Sequence, residues 1–381
     1  MKKILILFSQ AFIGILFIFS GLVKMNDPVG FSFKLEEYFS EPVLNWPIFE
    51  PFALAIAIFM VMAEVWLGAA LLVGLWKKWV LSLLSAMIVF FAFLTFYSAY
   101  FNVVTDCGCF GDAIPLTPWQ SFIKDLIFGV FILILWWGKD HIYESWPTWL
   151  VRAWAVFVPV STAVFSWYVL NHLPVKDFRP YAEGKSIIEG MKTAEELGLE
   201  PPKFEVVYTM FNDAGEQIEI TGTQYTQERW WEKKEWQMDN DLSKTIKVEE
   251  GYEPPVHDFS IYSDFGDITD SILDLPEVWL LIAYNKPRSK EKGWPVVATK
   301  AQTLIDEGVP VLLLSASLPE DFQEFQLPAA LPHAFTDETT LKTMVRANQG
   351  WVVLSKGKVH KNCAFNDKPL LYTSTSSSTA P

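Results

Sequence analysis

FALAIAIFMVMAEVWLGAALLV, residues 52–73, carries a single ionisable side chain, Glu64, in an otherwise apolar run. A helix needs about 20 mostly apolar residues to cross a hydrocarbon core roughly 30 Å thick, and this run is long enough. Four more stretches qualify: Ile4–Val23, Val80–Phe101, Phe122–Trp137 and Leu150–Leu170. The run Phe122–Trp137 is short, so its helix is expected to begin before Phe122 or to lie nearly upright in the bilayer. The chain contains 17 Trp, and several flank the apolar runs, as in Leu75-Trp76-Lys77-Lys78-Trp79 and Trp136-Trp137-Gly138-Lys139. An indole suits the headgroup level of a bilayer, with an apolar body and one polar N–H. The expected fold is therefore a membrane all-α bundle followed by a soluble α/β region, since the sequence after Leu170 is charged and of ordinary polarity.

Met1-Lys2-Lys3 could open a signal peptide, but the apolar run behind it is too long and no small-residue cleavage site follows. It reads as a retained helix. Basic residues in short loops set orientation. A cytoplasmic N-terminus puts Lys2, Lys3, Lys77, Lys78, Lys139 and Arg152 inside, leaving only Lys24, Lys34 and Lys124 on the other side. Five spans then place the C-terminal half outside, in the periplasm if the membrane is a bacterial inner membrane. The net charge of −14 excludes a nucleic-acid partner, which needs a basic surface. Membrane lipid is the expected partner.

Glu64 is costly at mid-span unless paired, protonated or facing a polar cavity. Two readings stand: a protonated side chain bonded to a backbone carbonyl or to Ser20, or a proton relay or quinone-headgroup ligand. Lys24, which ends the first span, reads as a snorkelling anchor.

The three cysteines are too few for a disulfide framework. Two of them form Cys107-Gly108-Cys109 inside Asp106-Cys107-Gly108-Cys109-Phe110-Gly111-Asp112, between the third and fourth spans. Two thiols around one glycine can close a small strained ring and exchange disulfides at an oxidising surface. The alternative is two loop cysteines packed as small hydrophobes. Zinc is disfavoured, because only two ligands converge and no histidine is near; no metal is expected.

Residues 1–140 resemble the MauE-like branch of the DoxX superfamily. The resemblance is carried by Ser20-Gly21-Leu22-Val23-Lys24, the Glu64-bearing second helix, and Cys107-Gly108-Cys109-Phe110-Gly111-Asp112 with the trailing Lys124-Asp125. It implies a four-helix membrane redox protein that handles thiols outside the membrane. By similarity to the vitamin K epoxide reductase and DsbB types, electrons would pass to quinone. On this basis Cys107 and Cys109 are the candidate catalytic pair, an extracytoplasmic thiol protein is the candidate partner, and residues 1–142 form the bundle, with a fifth span in 143–172.

Residues 173–250 read as a connecting α+β region. It has helix-like Ser186–Leu197, a hairpin of Lys203–Tyr208 with Gln217–Ile220, and a short helix at Thr226–Lys234. Residues 251–366 alternate strand and helix: strands at Val278–Tyr284, Val311–Leu314, Trp351–Leu354 and Lys358–His360, helices at Trp294–Glu307 and Asp337–Ala347. The order resembles a thioredoxin fold, and the lead-in Pro254-Pro255-Val256-His257-Asp258-Phe259 resembles peroxiredoxin and TlpA-like members. Where that family carries Cys-x-x-Cys, this chain has Asn285-Lys286-Pro287-Arg288-Ser289-Lys290-Glu291-Lys292, and Gln349-Gly350 replaces its cis-proline. Cys363 reads as a packed thiol beyond the last hairpin strand. The Ser/Thr-rich residues 367–381 read as a disordered tail. Two functions remain: a membrane thiol–disulfide oxidoreductase, or a non-enzymatic membrane scaffold that presents a degenerate thioredoxin-like domain.

Overall fold

The computed structural model describes residues 2–104, 108, 110–143, 146–249 and 251–367. They fall into two compact units, one formed by the chain before residue 186 and after residue 259, the other by Ser186–Phe259.

The first unit begins with six helices: α1 Lys2–Asn26, α2 Pro28–Phe39, α3 Ala53–Val73, α4 Lys77–Phe101, α5 Pro118–Trp137 and α6 Thr148–Asn171. All except α2 are long and apolar enough to cross a membrane. Their outward faces carry exposed apolar side chains such as Phe8, Phe59, Val89, Leu133 and Trp167, the signature of contact with lipid rather than water. The chain is a multi-pass membrane protein. The fourth span starts four residues before Phe122, because Thr117 and Gln120 form a capping box ahead of Pro118. Helices α1 and α3 approach closely at Gly14 and Gly68. A Cβ on Gly68 would lie 2.7 Å from the Gly14 carbonyl oxygen, so only small residues permit this crossing.

Helix α2 was not expected. Its start is local: the Asp27 side chain accepts a hydrogen bond from the Gly30 N–H at 2.8 Å, and Pro28 occupies the first helical position. One face buries Phe31, Leu35 and Phe39 against α1 and α3, and Tyr38 against Leu94 of α4, at the i, i+4, i+8 and i+7 positions of an amphipathic helix.

The second unit starts with two single turns, α7 Ile187–Gly190 and α8 Ala194–Leu197, where one helix was expected. Thr193 is an N-cap with extended dihedrals and bonds the Glu196 N–H, so the chain leaves the helix there and starts again. Strands β1 Lys203–Asn212 and β2 Gln217–Thr221 form the expected hairpin. The next helix, α9 Gly222–Gln227, lies earlier than Thr226–Lys234 because Thr221 and Gln224 cap it. Strand β3 Trp236–Glu249 completes a sheet in the order β2-β1-β3, over a small core of Met210, Ile220 and Trp230.

The chain then returns to the first unit with β4 Tyr262–Ser263, β5 Gly266–Asp267, α10 Thr269–Leu273, β6 Val278–Ile282, α11 Trp294–Asp306, β7 Val311–Ser315, β8 His333–Phe335, α12 Glu338–Met344, β9 Gly350–Ser355 and β10 Lys358–Ala364. The seven-stranded sheet runs β10-β9-β6-β7-β8-β4-β5. Strands β6, β7 and β8 are parallel, while β9 pairs antiparallel with β6 and β10 antiparallel with β9. Strands β6 and β7 are buried at every residue, as expected of a parallel pair covered on both faces. Trp294 of α11 is 1% exposed and packs with Trp279, Leu281, Leu313 and Trp351; each such burial is worth roughly 1.5–3 kcal/mol. Cys363 lies within β10, not beyond it.

Candidate functional site

The six-helix part of the first unit encloses four charged side chains at the end where α1 finishes and α5 begins. Ser20 and Lys24 lie four residues apart on one face of α1, and that face meets Glu64 of α3. Lys24 and Glu64 form an ion pair with side chains each 3% exposed. The Ser20 hydroxyl donates to the other Glu64 oxygen at 3.3 Å. Alongside, Lys124 pairs with the fully buried Asp125, and the Thr95 hydroxyl of α4 donates to Asp125 at 3.2 Å. A cavity of about 20 Å³ lies among Ser20, Lys24, Glu64, Lys124 and Asp125, room for roughly one water molecule.

Glu64 thus faces the bundle interior and bonds Ser20, but its main partner is an ammonium. Lys24 is not a snorkelling anchor. Helix α2 lies over the end of α1, and the Lys24 ammonium sits 5.2 Å from the Phe31 ring of α2 and 4.7 Å from the Phe91 ring of α4. With aromatic rings over it, the ammonium turns inward to the Glu64 carboxylate. Aromatic faces and two carboxylates together offset the desolvation of the two lysines.

One member of the cluster, Lys124, meets Phe110, the residue after the Cys-Gly-Cys motif. Cys107 and Cys109 themselves lie outside the described residues. Gly108 between them has φ +63°, and a Cβ there would sit 3.4 Å from Lys34 and 3.8 Å from Phe31, both on α2. Phe110, which follows Cys109, is buried, with its ring centre 5.7 Å from the Lys124 ammonium and 5.9 Å from the Phe19 ring. The lysine that holds Asp125 therefore touches the residue adjoining the dithiol motif.

The loops of the seven-stranded sheet also reach this end of the bundle. Arg346, just before β9, donates through Nε to Asp27 at 2.7 Å and through Nη2 to Asp112 at 3.2 Å. Arg288, just after β6, donates to both oxygens of Glu36 on α2 at 2.9 and 2.8 Å. Burial raises the pKa of Asp27, but the Arg346 guanidinium outweighs it and holds the carboxyl below its usual value. Sequence reading missed Arg346, which meets Asp27 from 319 positions away in the chain and stands in no motif. Cys363 is 4% exposed, and burial pushes its thiol up to about 11. It is therefore protonated at neutral pH and a poor nucleophile.

The fold and this cluster define a multi-pass membrane protein with paired charges buried at one end of its bundle and a sheet-bearing region attached. The sequence model of the family described as methylamine utilisation protein MauE matches residues 2–138, which run to the end of α5. No curated protein and no solved structure matches the chain.

Proposed function

We propose that this chain is a membrane thiol–disulfide exchange protein whose reacting pair is Cys107 and Cys109. The observation that carries the reading is Lys124, which pairs with the buried Asp125 beside the Lys24–Glu64 pair and sits over the ring of Phe110, next to the dithiol motif. In the proposed exchange, a thiolate of a partner protein attacks the Cys107–Cys109 disulfide. The mixed disulfide is resolved by the partner's second thiol, so the partner loses two hydrogens and the pair gains two. Reoxidation passes two electrons and two protons to an acceptor of the quinone class, which becomes the quinol. Lys24–Glu64 and Lys124–Asp125 serve as the proton relay for that step: a carboxylate takes up a proton and passes it on, and the neighbouring ammonium holds the local charge change to one unit until the proton leaves.

In this reading the N-terminus is cytoplasmic, the membrane is a bacterial inner membrane, and the dithiol faces the periplasm. The MauE match supports a place in processes related to methylamine utilisation. We read the seven-stranded sheet as thioredoxin-like, supported by its parallel β6–β7 pair, antiparallel β9 and terminal β9–β10 hairpin. Residues 285–292, at the vacant dithiol position, contain no cysteine. That supports a docking rather than a redox role for this region, the part of the scaffold reading worth keeping.

Acid quenching of cells followed by alkylation with a mass-tagged maleimide tests the proposal. Cys107 and Cys109 should be found in both redox states, and Cys107→Ser or Cys109→Ser alone should abolish cycling as completely as the double change. A pair that is always reduced, with single variants indistinguishable from wild type, sinks the redox function and leaves the scaffold.

A further inference from the structure

Open α/β sheets bind ligands beyond the carboxyl ends of their strands, at the point where strand order reverses. Here that point lies beyond β6, with β7 on one side and β9 on the other. A cavity of about 500 Å³ opens there, within the size range of small-molecule sites. Tyr284 and Asn348 from the sheet loops line one side, and Phe33 of α2 lines another. Leu54 near the start of α3 and Leu170 near the end of α6 complete the wall. These two leucines sit near the ends of membrane spans, and Leu54 is 38% exposed. The cavity therefore adjoins the boundary between acyl chains and headgroups.

Its polar groups are incompletely satisfied. Asn348 is 7% exposed; its amide nitrogen donates to the Asn285 carbonyl at 2.8 Å, while its side-chain oxygen has no partner. Such a buried acceptor calls for a donor. Arg288 is held by Glu36, and Arg346 by Asp27 and Asp112. Lys290 donates to the Leu170 carbonyl at 3.2 Å and lies 5.8 Å from the Phe365 ring centre, and among the described residues no carboxylate pairs with it. Glu50 contributes a carboxylate to the same cavity. The unmet needs are thus an anion for Lys290, N–H donors for Asn348 and Glu50, and an apolar tail leaving past Leu54.

We propose that this cavity binds a membrane glycerophospholipid whose headgroup joins a phosphodiester to a primary ammonium, as in phosphatidylethanolamine. The phosphodiester sits at Lys290, the ammonium donates to Asn348 and Glu50, and an acyl chain runs out along α3 and α6. Phosphatidylcholine lacks the N–H donors, and phosphatidylglycerol lacks the positive charge.

The full chain in phosphatidylcholine nanodiscs, with phosphatidylethanolamine or phosphatidylglycerol titrated in, tests this by thermal unfolding. Phosphatidylethanolamine should raise the midpoint saturably, and phosphatidylglycerol should not. Lys290→Gln and Asn348→Leu should each raise the half-saturating mole fraction about ten-fold, the effect of losing one charge-assisted hydrogen bond. Lys290 is a surface residue, so its variant keeps the test alive if Asn348→Leu fails to fold. Equal responses to all three lipids, a response to phosphatidylglycerol alone, or an unchanged titration in the folded variants would overturn the proposal.

Discussion

In the three-stranded sheet Lys203 pairs with Glu249, and in the bundle Lys24 pairs with Glu64. The first pair is 61% and 58% exposed, the second 3% and 3%. Side chains of the same two types meet in both, yet water already solvates the first pair, and its formation changes little. The second pair had to be stripped of water, and a bundle this rich in leucine and phenylalanine would pack as well without it. Buried ion pairs are weak evidence for stability, because apolar residues of similar volume often serve equally well. Retaining two such pairs side by side in one bundle points to use rather than to structure.

The comparison yields predictions of decreasing size. Lys24→Met alone should destabilise the bundle by about 3–5 kcal/mol, since Glu64 would be left buried without its counter-charge; unfolding in a mild detergent would measure it. Adding Glu64→Leu to Lys24→Met should restore most of that loss. A double variant as unstable as the single one would mean that the pair is structural.

Arg346→Ala should cost less, about 2 kcal/mol, through loss of its hydrogen-bonded contacts to Asp27 and Asp112. Because the folded Asp27 carboxyl lies below its usual value, its contribution is fully present above the ordinary aspartate range and is lost as pH falls through the lowered folded value. The stability gap between wild type and Arg346→Ala should therefore hold at neutral pH and close in strong acid. A gap that widened in acid would contradict the pairing. In a Cys107→Ser, Cys109→Ser background, the Cys363 thiol, pushed up to about 11, should resist maleimide at pH 7 until denaturant is added. Rapid labelling of the folded protein would show that β10 opens. Lys203→Ala, at the exposed end of the comparison, should leave the unfolding midpoint where it is.

The spans were legible because lipid imposes a length and an apolar composition that few other structures share. The buried strands β6 and β7 were legible for a related reason, as uninterrupted runs such as Val311–Leu314. Helix α2 was not. Its apolar residues are diluted by Gly30, Ser32, Glu36 and Glu37, and its clearest signal was the Asp27-Pro28 start. Missing α2 had a direct consequence, because Lys24 looks like an anchor only if nothing covers the end of α1. Strand β3 escaped notice because its charged residues, Asp239, Lys244 and Lys247 among them, hide any alternation. The contact of Arg346 with Asp112 was beyond reach in principle, since it depends on where the sheet loops dock. Cys107 and Cys109, the most suggestive residues in the sequence, lie outside the described residues, and their role rests on the motif and on what surrounds Gly108 and Phe110.

The central claim is that the buried pairs serve the dithiol. Its most direct test is the reoxidation rate of Cys107 and Cys109 after a reductant pulse, compared between wild type and the Lys24→Met, Glu64→Leu double variant once the latter is shown to be folded. Wild type should recover its disulfide while the double variant, though folded, stays reduced. Recovery at the wild-type rate in the double variant would contradict the account.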